Sequence, residues 1–268
     1  MIKEKNLLDK GFFQTHNFWG DDRLIPYEVF RRGGHLQCIY CGAPADTREH
    51  CPSRAFLKEP RPCNLPVLPS CSKCNNSYSA DELYLKYFIV FMKAAWTGDK
   101  PEIKEKLKTH LEVIKARNKV SEILKTGLIP FDKKICSVLE KLAKGHCVYE
   151  LTEYYYEYQW TLKEIRYFFR SHVTEEKWSP IGLVECIPDR VLPEFGSRFY
   201  RNLIVVDTEA KGSGDNDEHL ANQSFLLWNS VQPDYYEYVA YINRNNEMVV
   251  KIIIMDFLYA EVTFGEGG

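Results

Sequence analysis

The spacing of apolar positions changes several times along the chain. Between Ser79 and Trp96 an almost unbroken apolar run follows Asp81 and Glu82, acids suited to a first helical turn, with Ser79 placed as a cap. This predicts a buried helix. Residues 101–127 open on Pro101 and close on Gly127, and Ile103, Leu107, Leu111, Ile114 and Leu124 recur at near-helical spacing opposite a lysine-rich face. A second helix is predicted there, and a third over the stretch KKICSVLEKLAKGH at 133–146.

The last third is different. NLIVVDTEA, SFLLWNSV, YYEYVAYINR and EMVVKIIIMDF are β-branched and aromatic runs, the last two parted at Asn245-Asn246 as a hairpin would be. A small antiparallel sheet is expected. KGSGDNDE at 211–218 reads as an exposed loop. Ahead of the helices, residues 38–80 carry prolines at 44, 52, 60, 62, 66 and 69, which forbid a long helix and favour short strands and loops. Residues 1–37 scatter Phe12, Phe13, Phe18, Trp19, Tyr27 and Phe30 among turn formers and end near Gly33-Gly34. The expectation is an α+β protein: an arm at 1–29, a compact unit at 30–95, helices at 96–150, and an acidic mixed region with an antiparallel sheet at 151–268.

At 268 residues and 45% hydrophobic, the chain can bury one large core or two modest ones. No run of about 18 uncharged apolar residues predicts a membrane span. The opening MIKEKNLLDKGFF lacks an apolar run followed by a cleavage site. With nine cysteines that read as metal ligands or buried thiols, a cytoplasmic location is expected. Net charge is −2, yet residues 1–145 hold 25 Lys+Arg against 17 Asp+Glu, while residues 146–268 hold 10 against 20. A chain polarised from +8 to −10 can offer a basic face to phosphates and an acidic one to a protein partner.

Two Cys-x-x-Cys knuckles, CIYC at 38–41 and CSKC at 71–74, are separated by 29 residues. Cys38, Cys41, Cys71 and Cys74 predict a tetrahedral Zn²⁺ site, against the alternatives of four reduced core thiols or an oxidised pair. Four thiolates leave no open coordination position, so this zinc would be structural. Cys51, Cys63, Cys136, Cys147 and Cys186 read as small buried residues.

Between the knuckles lie Glu49-His50 and then Asn64, and the second knuckle runs into Asn75-Asn76. This order resembles the zinc-knuckle branch of the HNH endonuclease family, with its ββα-metal unit, over about residues 38–80. The resemblance implies His50 as the general base taking a proton from the attacking water, a task suited to an imidazole titrating near neutrality. It implies that Glu49, where the family usually has aspartate, and Asn75 ligate a catalytic divalent cation. As hard oxygen donors these favour Mg²⁺ or Mn²⁺. Asn64 falls at the central asparagine that orients the histidine, and Asn76 is an alternative to Asn75. Neighbouring strand residues point to opposite sides, so on a bulged or twisted strand Glu49 can reach the cation while His50 faces the water.

Arg48, Arg54 and Arg61 lie close in sequence and are candidates for holding phosphates, Arg54 foremost. His16, His35, His110, His146, His172 and His219 have no ligand-like spacing and read as surface or satisfied core residues. The function expected from the resemblance is metal-dependent cleavage of nucleic acid, double-stranded DNA before RNA. HNH units joined to extra regions occur in prokaryotic mobile-element and anti-phage systems, and that role is expected by resemblance alone. The other reading is an inactive, zinc-stabilised module that binds nucleic acid or protein.

Overall fold

The computed structural model describes residues 37–62, 65–151, 160–174, 178, 184–186, 203–208, 221–226 and 228–267. The arm at 1–29, Asn64, the loop at 211–218 and most of the tyrosine-rich stretch before Trp160 lie outside them.

The proline-rich region forms two short strands, β1 (Thr47–His50) and β2 (Val67–Ser70), paired antiparallel with Thr47 opposite Ser70 and His50 opposite Val67. Cys71 then caps α1 (Ser72–Ser77), and after Tyr78 alone the chain continues as α2 (Ser79–Thr97). Ser79 is therefore not the cap predicted for α2. With a helical turn directly before it, its hydroxyl donates to the Asn75 carbonyl instead (3.5 Å).

The second predicted helix starts later than Pro101. Residues 105–107 make a single 3₁₀ turn, and α3 spans Leu111–Thr126. His110 begins it, its Nδ1 accepting the Glu112 N–H at 3.3 Å, and Gly127 ends it at φ 70°, a conformation that glycine adopts at no steric cost. Ile103 packs on the core from the loop and Leu107 from the 3₁₀ turn, neither of them from α3. Helix α4 (Lys133–Glu150) opens at Asp132, whose carboxylate accepts the N–H groups of Lys134 and Ile135.

Beyond it comes a five-stranded antiparallel sheet. Its strands are β3 (Trp160–Phe169), β7 (Asn229–Gln232), β8 (Tyr236–Ile242), β9 (Met248–Ile254) and β10 (Leu258–Glu266), in spatial order β3-β10-β9-β8-β7. The hairpin at Asn245-Asn246 joins β8 to β9, with Asn246 at φ 62°. Three further strands, β4 (Val184–Cys186), β5 (Leu203–Thr208) and β6 (Ala221–Leu226), pair in the order β4-β6-β5. The structure is thus α+β, as the change of period predicts.

One buried cluster joins the knuckle region, the helices and the five-stranded sheet, and a smaller one sets Ile39, Cys51 and Leu68 against Val148 and Tyr149 of α4. Phe56 and Leu65 from the knuckle region, Leu85, Phe88 and Ile89 of α2, Ile135, Val138 and Leu139 of α4, and Tyr238, Val250 and Ile252 of the sheet belong to the larger cluster. Burial of this kind contributes about 25 cal/mol per Å² of apolar surface and is what holds such short strands in place. No helix of the described residues is long and apolar enough to cross a membrane.

Candidate metal centre and the face beside it

The sulfur atoms of Cys38, Cys41, Cys71 and Cys74 all lie within 4.8 Å of one another. Cys41 Sγ and Cys71 Sγ are 3.7 Å apart. Thiolates at about 2.3 Å from a tetrahedral zinc stand about 3.8 Å from each other, so this set fits that ion. Local hydrogen bonds shape both knuckles. Gly42, at φ 71°, closes the first by donating to the Cys38 carbonyl (2.8 Å), and Cys74 N–H donates to Cys71 Sγ (3.4 Å) in the second. Asp46 ties the halves together, accepting from Ser72 N–H (2.6 Å) and Ser72 Oγ (3.0 Å). Burial pushes the Cys38 thiol up, but the N–H groups of Cys71, Tyr40 and Cys41 outweigh it and bring the thiol down to about 7.

Strand β1 leaves this centre with alternating faces. Glu49 is opposite Leu68, and both are buried. Arg48 and His50 are opposite Pro69 and Val67 and point to the other side. His50 is half-buried, and the charges of three guanidiniums act on it. Burial, followed by the charges of Arg54, Arg48 and Arg61, lowers its imidazole from 6.5 to about 4. Arg61 pairs with Glu59 at 2.6 Å, while its Nε is buried without a hydrogen-bond partner. The result is a neutral base among cations that repel its proton.

The inward face is an ion cluster. Glu49 is 7% exposed, and its Oε2 lies 3.2 Å from Lys141 Nζ, near enough for an ion pair but without hydrogen-bond geometry. Lys141, on α4 and 2% exposed, also bonds Glu82 Oε1 of α2 at 2.5 Å and sits 5.3 Å from the centre of the Tyr78 ring. Burial, opposed by Lys141 and reinforced by Glu82, raises the Glu49 carboxyl. Tyr40, from the first knuckle, closes the cluster beside Glu49 and Glu82, its ring 5.7 Å from that of Tyr78.

Asn75 does lie against β1, but as a brace. Its Nδ2 donates to the Arg48 carbonyl (3.1 Å) and to Thr47 Oγ1 (3.4 Å). The pair expected to share a divalent cation is therefore not assembled beside His50: the Glu49 carboxylate turns inward to an ammonium, while the Asn75 amide nitrogen braces the strand. Among the described residues, the four cysteines are the one cluster of His, Cys, Asp or Glu side chains that can hold a metal ion.

His146 behaves as a satisfied core residue. It is fully buried, its Nδ1 is 3.4 Å from Cys51 Sγ, its Nε2 is 2.8 Å from the Tyr236 hydroxyl, and its ring stacks on Tyr238 at 3.6 Å. The Tyr238 hydroxyl donates to Glu150. This chain of contacts links the residue after His50 to the C-terminal sheet.

Sequence reading misses Lys141 and Glu82, although a signal for each exists. Lys141 is a single charge at helical spacing from Val138, Gly145 and Val148, and Glu82 shares the face of Leu85 and Ile89. A charge on a buried stripe calls for a buried counter-charge.

In comparisons with known proteins, the chain matches no family model, no curated protein and no solved structure.

Proposed function

We propose that this protein is an HNH-type endonuclease that cleaves phosphodiester bonds of nucleic acid, double-stranded DNA in preference to RNA. The observation that supports the reading is His50 on the outward face of β1, close in the chain to the four-cysteine cluster, its imidazole lowered by burial and by the charges of Arg54, Arg48 and Arg61. An imidazole that is unprotonated at neutral pH can take a proton from water, and guanidinium forks suit phosphate oxygens. Arg48 and Arg54 hold the phosphate in this reading, and His50 activates the nucleophile. Zinc holds the two knuckles and takes no part in the chemistry.

Plasmid nicking tests the reading, in chelator and with Mg²⁺ or Mn²⁺, with wild type beside His50→Ala. Loss of a general base lowers the rate by about 10²–10⁴-fold. Equal cleavage by the two proteins rejects His50 as the base. The inward turn of Glu49 favours a second reading, a zinc-stabilised module that binds nucleic acid without cutting it. That module predicts no nicking with any ion and duplex binding that survives His50→Ala. An anti-phage role is a proposal from the resemblance, tested by plaque counts on cells carrying wild type or His50→Ala.

A further inference from the structure

We propose that Lys141 is a positioning residue for His50, a built-in cation that seats Glu49 and thereby orients the strand they share. Four observations carry this. Lys141 is almost fully enclosed, and a bare ammonium in such a place is tolerated only when paired. Its partners come from two other elements, Glu49 of β1 and Glu82 of α2, so one side chain of α4 fixes three pieces of backbone. Tyr40 and Tyr78, which wall the cluster, belong to the two segments that bear the cysteines, so it is continuous with the metal centre. Glu49 and His50 are adjacent on a strand, so anchoring one inward turns the other outward, where the charges of the arginines act on it.

In this arrangement the Glu49 carboxylate serves the fold rather than a divalent ion. The cluster carries two carboxylates and one ammonium, an excess of negative charge. Glu49→Gln keeps a side-chain oxygen that can accept from the Lys141 ammonium and sheds the excess charge, so the seat survives, whereas removing Lys141 leaves two acids facing each other.

The nicking arm of the test rests on the proposed endonuclease reading, and the other arms do not. Crystals of the full chain grown with Mn²⁺ are expected to show no anomalous peak at Glu49, and a peak within bonding distance of its carboxylate overturns the proposal. In NMR spectra, Lys141→Met is expected to displace the His50 ring resonances, with Lys141→Arg and Glu49→Gln staying close to wild type. Unchanged His50 resonances in Lys141→Met overturn it. In nicking assays, Glu49→Gln keeps activity within about threefold, while Lys141→Met falls by about 100-fold, the scale set by a misplaced catalytic group. Lys141→Arg restores most of that loss. A drop of more than about tenfold in Glu49→Gln, with zinc content and circular dichroism intact, overturns the proposal. If Lys141→Met does not fold, Glu49→Gln, Lys141→Arg and the Mn²⁺ crystals decide it. If wild type does not nick, the endonuclease reading fails, and the crystal and NMR arms still judge Lys141.

Discussion

Single residues differ sharply in what their charge does here, and pH exposes this. Unfolded, His50 titrates near 6.5, and in the fold burial and three arginines bring it to about 4. Between those values the unfolded chain holds the extra proton, so this contribution to stability is complete above pH 6.5 and is lost as pH falls toward 4. Glu49 acts in the opposite sense. Its carboxyl is raised in the fold, so its contribution is present at low pH and is lost as pH rises through the raised value. Thermal melts of wild type and His50→Gln between pH 4 and 7 are expected to differ in slope, with the variant losing less stability on the acid side. Parallel curves would show that His50 titrates as it does in the unfolded chain. Breaking the cluster by Lys141→Met is expected to cost about 3–5 kcal/mol in denaturant unfolding, the range for an orphaned buried charge.

Helix α4 offers a test at the scale of one element. Gly145 sits inside it, and a Cβ added there would meet Cys51 Sγ at 3.5 Å and Leu68 Cδ1 at 3.6 Å, ordinary contacts. Gly145→Ala should therefore gain about 0.5–1 kcal/mol by helix propensity, measured by chemical denaturation. A loss would mean that Leu68 of β2 and Cys51 pack on α4 more tightly than these distances. At the other end of α4, Asp132 caps the helix and also accepts the Tyr84 hydroxyl at 2.6 Å. Asp132→Ala should cost about 1–2 kcal/mol.

The elements were legible to different degrees. The runs at 79–96 and 133–146 announce α2 and α4 because apolar spacing and local acids act within a few residues. The hairpin at Asn245-Asn246 is equally local, since a left-handed residue is needed where Asn246 sits. Strand β3 escaped notice because its alternation is broken. Ile165, Tyr167 and Phe169 keep period two, but a bulge opposite Thr263 and Phe264 shifts the phase near Lys163. The late start of α3 depends on the His110 side chain capping its own helix, which competes with the Pro101 signal. In the candidate site, the cysteine spacing reveals the four-thiol cluster because the cysteines come in local pairs. The destination of Glu49 is not local, since Lys141 lies far along the chain and only tertiary packing brings them together.

At the scale of the molecule, charge is segregated and the metal centre is coupled to the common core. Elemental analysis is expected to find one zinc per chain, and stripping it should lower the melting temperature of the whole protein, because α1 and α2 grow from the second knuckle. Zinc loss without a thermal shift would separate the knuckles from the core. For duplex binding by His50→Ala protein, the slope of log affinity against log salt should fall by about 0.9 for each of Arg48 and Arg54 replaced by glutamine. An unchanged slope would remove them from the phosphate contact.

The bond between His146 and Tyr236 has a practical corollary for anyone trimming this protein. A chain clipped after Leu151 would strip away the sheet that roofs α4, leaving Ile135, Leu139 and the His146 imidazole open to water. Such a fragment retains every knuckle cysteine and His50 and should still be insoluble or molten, so a minimal folded unit cannot be sought in the first half alone.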